Sequence, residues 1–113
     1  MHIQQVHYFC ALSEERNFTR AARRCGVSQP SISNAIHRLE AEFGGRLFER
    51  KRGGVGLTRL GHLLRPFFED INRSCAAAQC EAARFFASAA GAPARSALAR
   101  RGWTIARRAN AAW

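Results

Sequence analysis

The sequence lacks the segments that would direct a chain into a membrane or along the secretory route. No apolar run approaches the roughly 18–20 residues that a membrane span needs. The N-terminal residues also lack the basic start and the apolar block of a secretion signal. We therefore expect a cytoplasmic protein without a membrane partner.

Signatures of catalysis and of metal binding are missing as well. The chain has four cysteines: Cys10, Cys25, Cys75 and Cys80. They form no Cys-x-x-Cys pair, and no histidine lies at zinc-finger spacing from them. We therefore predict reduced thiols and no metal site. Because a glycine-rich phosphate loop and a nucleophile elbow are also lacking, we expect neither an enzyme nor a cofactor.

Acidic residues are scarce. Eight Asp and Glu stand against 18 Lys and Arg, which gives a formal net charge of +10 on 113 residues, the size of one domain. Residues 1–90 carry +5 of this charge, and residues 91–113 carry the other +5. Such a balance suggests an anionic polymer or an anionic membrane surface as the partner.

The first 43 residues predict three helices. Apolar residues at helical spacing predict the first helix over residues 3–15. The second is short, from Phe18 to about Cys25, and the third runs from Ser28 to Phe43. A short helix, a turn that contains glycine and a longer helix form the helix-turn-helix arrangement. That arrangement also occurs in proteins that bind no DNA, so the geometry alone leaves DNA binding open.

Local signals mark the ends of these helices. Asn17 and Ser28 are suitable N-caps, because their side-chain oxygens can accept a free backbone N–H of the first turn. Pro30 falls in the first turn of the third helix, where its missing N–H costs nothing. Gly26 can adopt the left-handed conformation that commonly ends a helix.

The third helix has an unusual outer face. Its inner face is an apolar stripe: Ile32, Ile36, Leu39 and Phe43. The opposite side consists of short or hydrogen-bonding residues: Pro30, Ser33, Asn34, His37, Arg38 and Ala41. A helix that only faces water usually carries long Glu and Lys side chains. A short, donor-rich face with a lone Arg instead suits the groove of DNA.

A basic β-hairpin is predicted next. Gly44-Gly45 stops the third helix, residues 46–50 and 55–57 can form two strands, and Lys51–Gly54 is a flexible tip. The three consecutive cations Arg50, Lys51 and Arg52 could be a solvated loop. Because they follow the candidate recognition helix, we favour contact with the DNA backbone or minor groove.

A long fourth helix is predicted from Thr58 to about Ala89, roughly 48 Å at 1.5 Å per residue. Its apolar residues recur at steps of three and four: Leu60, Leu64, Phe67, Ile71, Cys75, Ala78, Ala82 and Phe85. Leu63, Phe68 and Phe86 widen this stripe. A small globule cannot cover a helix of this length. The stripe therefore predicts a dimer interface with the same helix of a second chain.

The last segment, residues 91–113, has a different composition. It holds five Arg, eight Ala and both Trp of the chain, and it has no acidic residue. No convincing core pattern is present, so we predict a disordered basic arm.

Residues 3–89 resemble the N-terminal DNA-binding region of the bacterial LysR-type transcriptional regulators. Four segments carry the resemblance, in the order in which that family has them: Asn17–Ala22, Val27–Ser33 with Ile36 and Arg38–Glu40, Leu47–Arg50, and Leu57–Gly61. The family implies a mainly α fold, a winged helix-turn-helix of three helices and a small β-hairpin wing, here residues 1–58. It also implies that residues 59–90 form a linker helix that pairs antiparallel in a dimer.

The resemblance implies roles for individual residues. Gln29, Pro30 and Asn34 would approach base edges; Gln29 could bond an adenine bidentately, and Pro30 could contact a thymine methyl. Asn34 and His37 stand where the family often has Arg or Lys. The predicted DNA-contacting set, including phosphate and wing contacts, is Thr19, Ser28, Gln29, Pro30, Ser31, Ser33, Asn34, His37, Arg38, Arg46, Arg50, Lys51 and Arg52.

Three functional hypotheses follow. The first is a cytoplasmic, nucleoid-associated homodimer that binds double-stranded DNA sequence-specifically and regulates transcription, as a LysR-type regulator that lacks its effector-binding domain. The second is a truncated or frameshifted remnant without the family's effector domain, which acts only as a dimerisation or dominant-negative module and forms heterodimers with full-length relatives. The third is a non-specific nucleic-acid binder that depends on the Arg-rich tail.

Overall fold

The computed structural model describes residues 1–90, and the mainly α prediction is confirmed. The elements are α1 Ile3–Glu15, α2 Phe18–Cys25, α3 Gln29–Phe43, β1 Phe48–Lys51, β2 Gly54–Leu57 and α4 Arg59–Ala90. The predicted disordered arm, residues 91–113, lies outside the described residues. Residues 1–72 belong to one compact unit, and the described residues 73–90 belong to a second.

The predicted helix ends are confirmed. The side chain of Asn17 accepts the backbone N–H of Arg20 at 2.9 Å, and Ser28 Oγ accepts that of Ser31 at 3.4 Å. Gly26 has a φ of 69° and ends α2 in the left-handed conformation. Because these signals are local, the sequence was sufficient to locate the turn between α2 and α3.

The core of the first unit lies between α1, α2 and α3. It contains buried residues from each helix, including Val6, Phe9, Leu12, Ala21, Ala22, Ile32, Ile36 and Leu39. Ala21 and Ala22 are small enough to let α2 approach its neighbours closely. Phe43 continues the predicted apolar stripe but lies at its exposed end.

The hairpin closes the core and differs from its prediction at the tip. Phe48 pairs with Leu57 and Lys51 with Gly54, so only Arg52 and Gly53 form the turn. The prediction of a four-residue tip from Lys51 to Gly54 was therefore wrong. Gly53 and Gly54 have φ values of 85° and 154°, and these positive angles allow the tight reversal.

The return strand is also fixed at the corner between α1 and α2. Val55 donates its backbone N–H to the carbonyl of Arg16 at 3.0 Å. A Cβ atom at Gly54 would collide with the same carbonyl oxygen. Glycine is therefore required at position 54 for the hairpin to approach this corner.

Within the first unit, α4 covers the core with a face that the sequence predicted only in part. Leu60, Leu64 and Ile71 pack partly buried against the core, and Phe68 is only 2% exposed. Phe67, which the apolar stripe placed on the same face, is 62% exposed. The stripe thus divides into residues that contact their own core and residues that do not.

Beyond residue 72, α4 displays small and aromatic residues. Cys75 is half-buried, whereas Ala78, Ala82 and Phe85 are exposed. The ring of Phe85 packs edge-on against that of Phe86, with centroids 5.3 Å apart. In residues 1–90, none of the helices combines the length and the apolar character that crossing a membrane requires.

Candidate nucleic-acid interface

The predicted base-reading side of α3 is exposed. Ile32, Ile36 and Leu39 are buried, which turns the other side of the helix outward. Six of the predicted contact residues on α3 are exposed: Gln29, Pro30, Ser31, Asn34, His37 and Arg38. Ser33 is half-buried, so of these residues it has the least freedom to reach a ligand.

The N-termini of α2 and α3 meet at this surface. Thr19 Oγ1 donates to Gln29 Oε1 at 3.4 Å, which directs the amide nitrogen of Gln29 away from Thr19. Ser28 and Ser31 share a hydroxyl–hydroxyl hydrogen bond of 2.8 Å. The structure therefore brings Thr19 next to the start of the recognition helix, ten positions later in the chain. A side-chain amide held in this way is suited to bonding a base edge.

The hairpin presents three exposed cations, but not as a single cluster at the tip. Arg50 and Lys51 are neighbours in β1, so their side chains leave opposite faces of the strand. Lys51 shares its face with Glu49, and the two charged groups lie 3.7 Å apart. Arg52 alone stands in the turn.

The charges of the first unit are distributed unevenly. Its Glu side chains have cationic partners. Glu14 and Glu15 contact Arg24, Glu40 contacts Arg46, and Glu42 contacts the N-terminal amine. Glu49 contacts Lys51, and Glu69 contacts Arg65. The hydrogen bond that Arg24 donates to Glu14 raises the pKa of Arg24. Within residues 1–90, by contrast, Arg38, Arg50 and Arg52 form no ion pair with a carboxylate. These guanidinium groups are available to an anionic ligand.

Glu40 is a buried acid that links α3 to the start of the hairpin, and it was not among the predicted contact residues. Its side chain is only 9% exposed. Its Oε2 atom accepts the backbone N–H groups of Leu47 and Phe48 at 2.7 and 3.4 Å. A signal was present, because Glu40 follows Leu39 and lies one helical turn after Ile36, at the border of the apolar stripe.

The thiols occupy different environments. Burial raises the pKa of Cys10 to about 11, and burial also raises the pKa of Cys25. Both thiols are therefore protonated near neutral pH and pack as small apolar groups. All four cysteines are free, and no cluster of His, Cys, Asp or Glu suited to a metal occurs within the part of the chain that the structure describes.

An exposed hydrogen-bonding face on α3, a cationic hairpin and a supporting three-helix core define a winged helix-turn-helix DNA-binding domain. Comparison with known proteins gives the family. Residues 3–62 match the model of the bacterial regulatory helix-turn-helix proteins of the lysR family. The chain is 47% identical over 70 residues to the HTH-type transcriptional regulator BudR of Klebsiella aerogenes, a match that covers 62% of this chain and 47% of BudR.

Solved structures of DNA-binding domains in complex with DNA are similar to this chain. The CbnR domain with DNA has a TM-score of 0.61 and 39% sequence identity, and the match covers 79% of this chain and 99% of that one. The BenM domain with catB site 1 DNA has a TM-score of 0.69 and 30% identity, over 81% and 100% of the two chains. The chain belongs to the LysR family and contains its helix-turn-helix region. It spans less than half the length of BudR.

Proposed function

We propose that the chain binds double-stranded DNA sequence-specifically as a homodimer and regulates transcription. The observation that carries this proposal is the exposed face of α3, on which Gln29, Asn34 and Arg38 stand clear of the core. The DNA-binding domains of CbnR and BenM, which have the same fold, have been solved in complex with DNA. We therefore place α3 in the major groove.

Gln29, Pro30 and Asn34 are proposed to contact bases, and their neighbours are proposed to contact the backbone. Thr19, Ser31, Ser33 and Arg38 are proposed to hold phosphates, and Arg50, Lys51 and Arg52 to reach the backbone or the minor groove. Ser28, His37 and Arg46 complete the proposed DNA-contacting set. Side-chain amides suit adenine edges, whereas hydroxyl and guanidinium groups suit phosphate oxygens. Arg38, Arg50 and Arg52 lack carboxylate partners among the described residues, which supports their proposed contact with DNA.

Dimerisation is proposed to occur through α4. Leu63 and Phe67 are exposed in the first unit, and Phe85 and Phe86 are exposed farther along the helix. Large apolar side chains of this kind on a helix are commonly buried against a partner. In the proposed dimer, residues 59–90 are the interface, with contributions from Leu60, Leu64, Phe67, Ile71, Cys75, Ala78, Ala82 and Phe85. Residues 1–58 are then the DNA-binding domain.

Selection of bound duplexes from a random DNA pool tests the proposal. A dimer that reads DNA with two α3 helices selects two related half-sites about 10 base pairs apart, or a multiple of that spacing. Recovery of duplexes without a shared sequence contradicts specific recognition. Deleting residues 91–113 tests the alternative in which the Arg-rich tail drives binding. If the tail drives binding, the shortened chain no longer binds DNA. If the proposed domain drives binding, the shortened chain keeps its half-site preference.

The dimerisation-module hypothesis makes a different prediction. A chain that acts only by pairing with longer relatives forms mixed dimers and shows no half-site preference of its own. Co-purification with a full-length relative, combined with the same DNA selection, distinguishes the two hypotheses.

A further inference from the structure

Glu40 connects the recognition helix to the wing. It lies on α3 four residues before the glycine that ends the helix, and its carboxylate is buried, in contrast to that of Glu42. The bonds from the N–H groups of Leu47 and Phe48 both end on Oε2. The bond from Leu47, at 2.7 Å, has the short length of a charge-assisted hydrogen bond, and the bond from Phe48 is longer, at 3.4 Å. Together they hold the start of β1 against α3.

The same oxygen also orients Arg46. Arg46 Nε lies 3.8 Å from Glu40 Oε2, and Arg46 Nη2 donates to the carbonyl of Phe48 at 3.2 Å. These two contacts restrict the guanidinium, yet the side chain remains 74% exposed. A guanidinium has five N–H donors, so several remain free to bond an external acceptor.

The backbone beneath Arg46 is fixed from the opposite edge. Thr58 donates its N–H to the carbonyl of Leu47 at 2.9 Å, and Thr58 Oγ1 donates to the carbonyl of Arg46 at 2.6 Å. The same hydroxyl accepts the N–H of Gly61 at 3.1 Å and caps α4. The segment that carries Arg46 is therefore held between the end of the recognition helix and the start of α4.

We propose that Glu40 is a positioning residue for DNA binding, which holds Arg46 as a preorganised phosphate clamp between the recognition helix and the wing. The proposal rests on the DNA-binding function proposed above. A phosphate that meets an already oriented guanidinium gains a charge-assisted bond without the full cost of ordering the side chain. Glu40 thus favours binding to a polyanion although it is itself an anion.

This role predicts that removing the carboxylate of Glu40 weakens DNA binding, which is the opposite of what its charge alone predicts. Removing an acid near DNA normally strengthens binding, because like charges repel. Glu42 is the matched control, since it is exposed on the same helix and pairs with the N-terminal amine. We expect Glu42→Gln to bind DNA as tightly as the wild type or more tightly. We expect Glu40→Gln to bind about a hundredfold more weakly, because the proposed dimer loses one charge-assisted contact in each protomer.

The experiment uses the full chain and a duplex recovered from the random pool, with a scrambled duplex of equal length beside it. Affinity is measured across a salt series for the wild type, Glu40→Gln, Glu42→Gln, Arg46→Ala and the Glu40→Gln/Arg46→Ala double variant. Each lost phosphate contact lowers the salt slope by about 0.9. The proposed homodimer loses one contact in each protomer, so we expect a decrease of about 1.8 in Glu40→Gln and in Arg46→Ala, and no further decrease in the double variant. Thermal unfolding checks that each variant is folded, and glutamine keeps the volume and one acceptor oxygen of Glu40.

Two results overturn the proposal while leaving the proposed function intact. The first is that Glu40→Gln binds the selected duplex as tightly as Glu42→Gln. The second is that the losses of affinity in Glu40→Gln and Arg46→Ala add in the double variant. A wild-type chain that does not distinguish the selected duplex from the scrambled one overturns the proposed function, and this inference with it. Amide exchange supplies a readout without DNA. The N–H of Leu47 should exchange faster in Glu40→Gln and remain unchanged in Glu42→Gln.

Discussion

Truncating Phe68 and truncating its neighbour Phe67, both in α4, should change the free energy of unfolding by very different amounts. Phe68 is 2% exposed, and its ring centroid lies 4.6 Å from that of Phe9 and 5.6 Å from that of Phe43. Truncating a buried Phe to Ala costs about 3–5 kcal/mol. Each aromatic pair contributes about 0.5–1.5 kcal/mol beyond its burial, so Phe68→Ala should fall in the upper half of that range. This is a large part of the roughly 5–15 kcal/mol that stabilises a typical protein.

Phe67→Ala is the matched control. Its side chain is 62% exposed in the single chain, and an exposed substitution usually changes stability by no more than about 0.5 kcal/mol. If Phe67 belongs to the proposed dimer interface, its truncation weakens association instead. The destabilisation then depends on protein concentration and disappears on dilution, whereas that of Phe68→Ala persists.

Urea unfolding followed by circular dichroism, repeated over a range of protein concentrations, measures both effects. With a slope of about 1–3 kcal/mol/M in urea, Phe68→Ala should lower the midpoint by about 1 M or more. Equal losses for the two variants in dilute solution, or a larger loss for Phe67→Ala, would refute the assignment of Phe68 to the core.

The remaining predictions concern the wing and DNA binding. Gly54→Ala should destabilise the chain more than Gly53→Ala in the same urea assay, because both have positive φ but only the Cβ at position 54 meets the carbonyl of Arg16; equal effects would contradict this docking. Gln29→Ala should change the selected half-site and cost roughly 1–3 kcal/mol at the base it contacts, measured by competition between duplexes; a uniform loss over all sequences would assign Gln29 to the backbone. If the dimer contacts about six to ten phosphates, its affinity should fall about 10³–10⁵-fold between 50 and 200 mM salt, measured by fluorescence anisotropy; a salt-insensitive complex would contradict a phosphate-based interface.

Much of the helix-turn-helix could be predicted because its signals are local. The Asn17 and Ser28 caps and the left-handed Gly26 each depend on neighbours within one helical turn. The apolar spacing of α3 determined which face is buried, and its exposed face followed by elimination. The family resemblance is confirmed by the match over residues 3–62.

The assignment of Phe67 to the apolar stripe shows where periodicity reaches its limit. Steps of three and four fit either Phe67 or Phe68, because both lie within one turn of Leu64 and Ile71. The choice depends on Phe9 and Phe43, whose rings meet Phe68 from other helices. Spacing within α4 contains no information about those partners.

The wing shows the same limit for polar groups. Its strands could be predicted from Leu47, Phe48 and the glycines, but its attachments could not. Arg16 supplies a carbonyl from the corner after α1, and Glu40 supplies a carboxylate from α3. Both contacts join residues that are distant in sequence or belong to different elements, and neither has a local signature.

The sequence by itself determined the helices, their caps, the turn between α2 and α3 and the family, because these depend on short-range hydrogen bonding, on periodicity and on motifs in a recognisable order. The tertiary structure alone decided which phenylalanine of α4 enters the core, how tightly the hairpin turns and where the carboxylate of Glu40 points. These outcomes depend on which groups meet in space, since a buried ring or carboxylate is stabilised only by the partners that surround it.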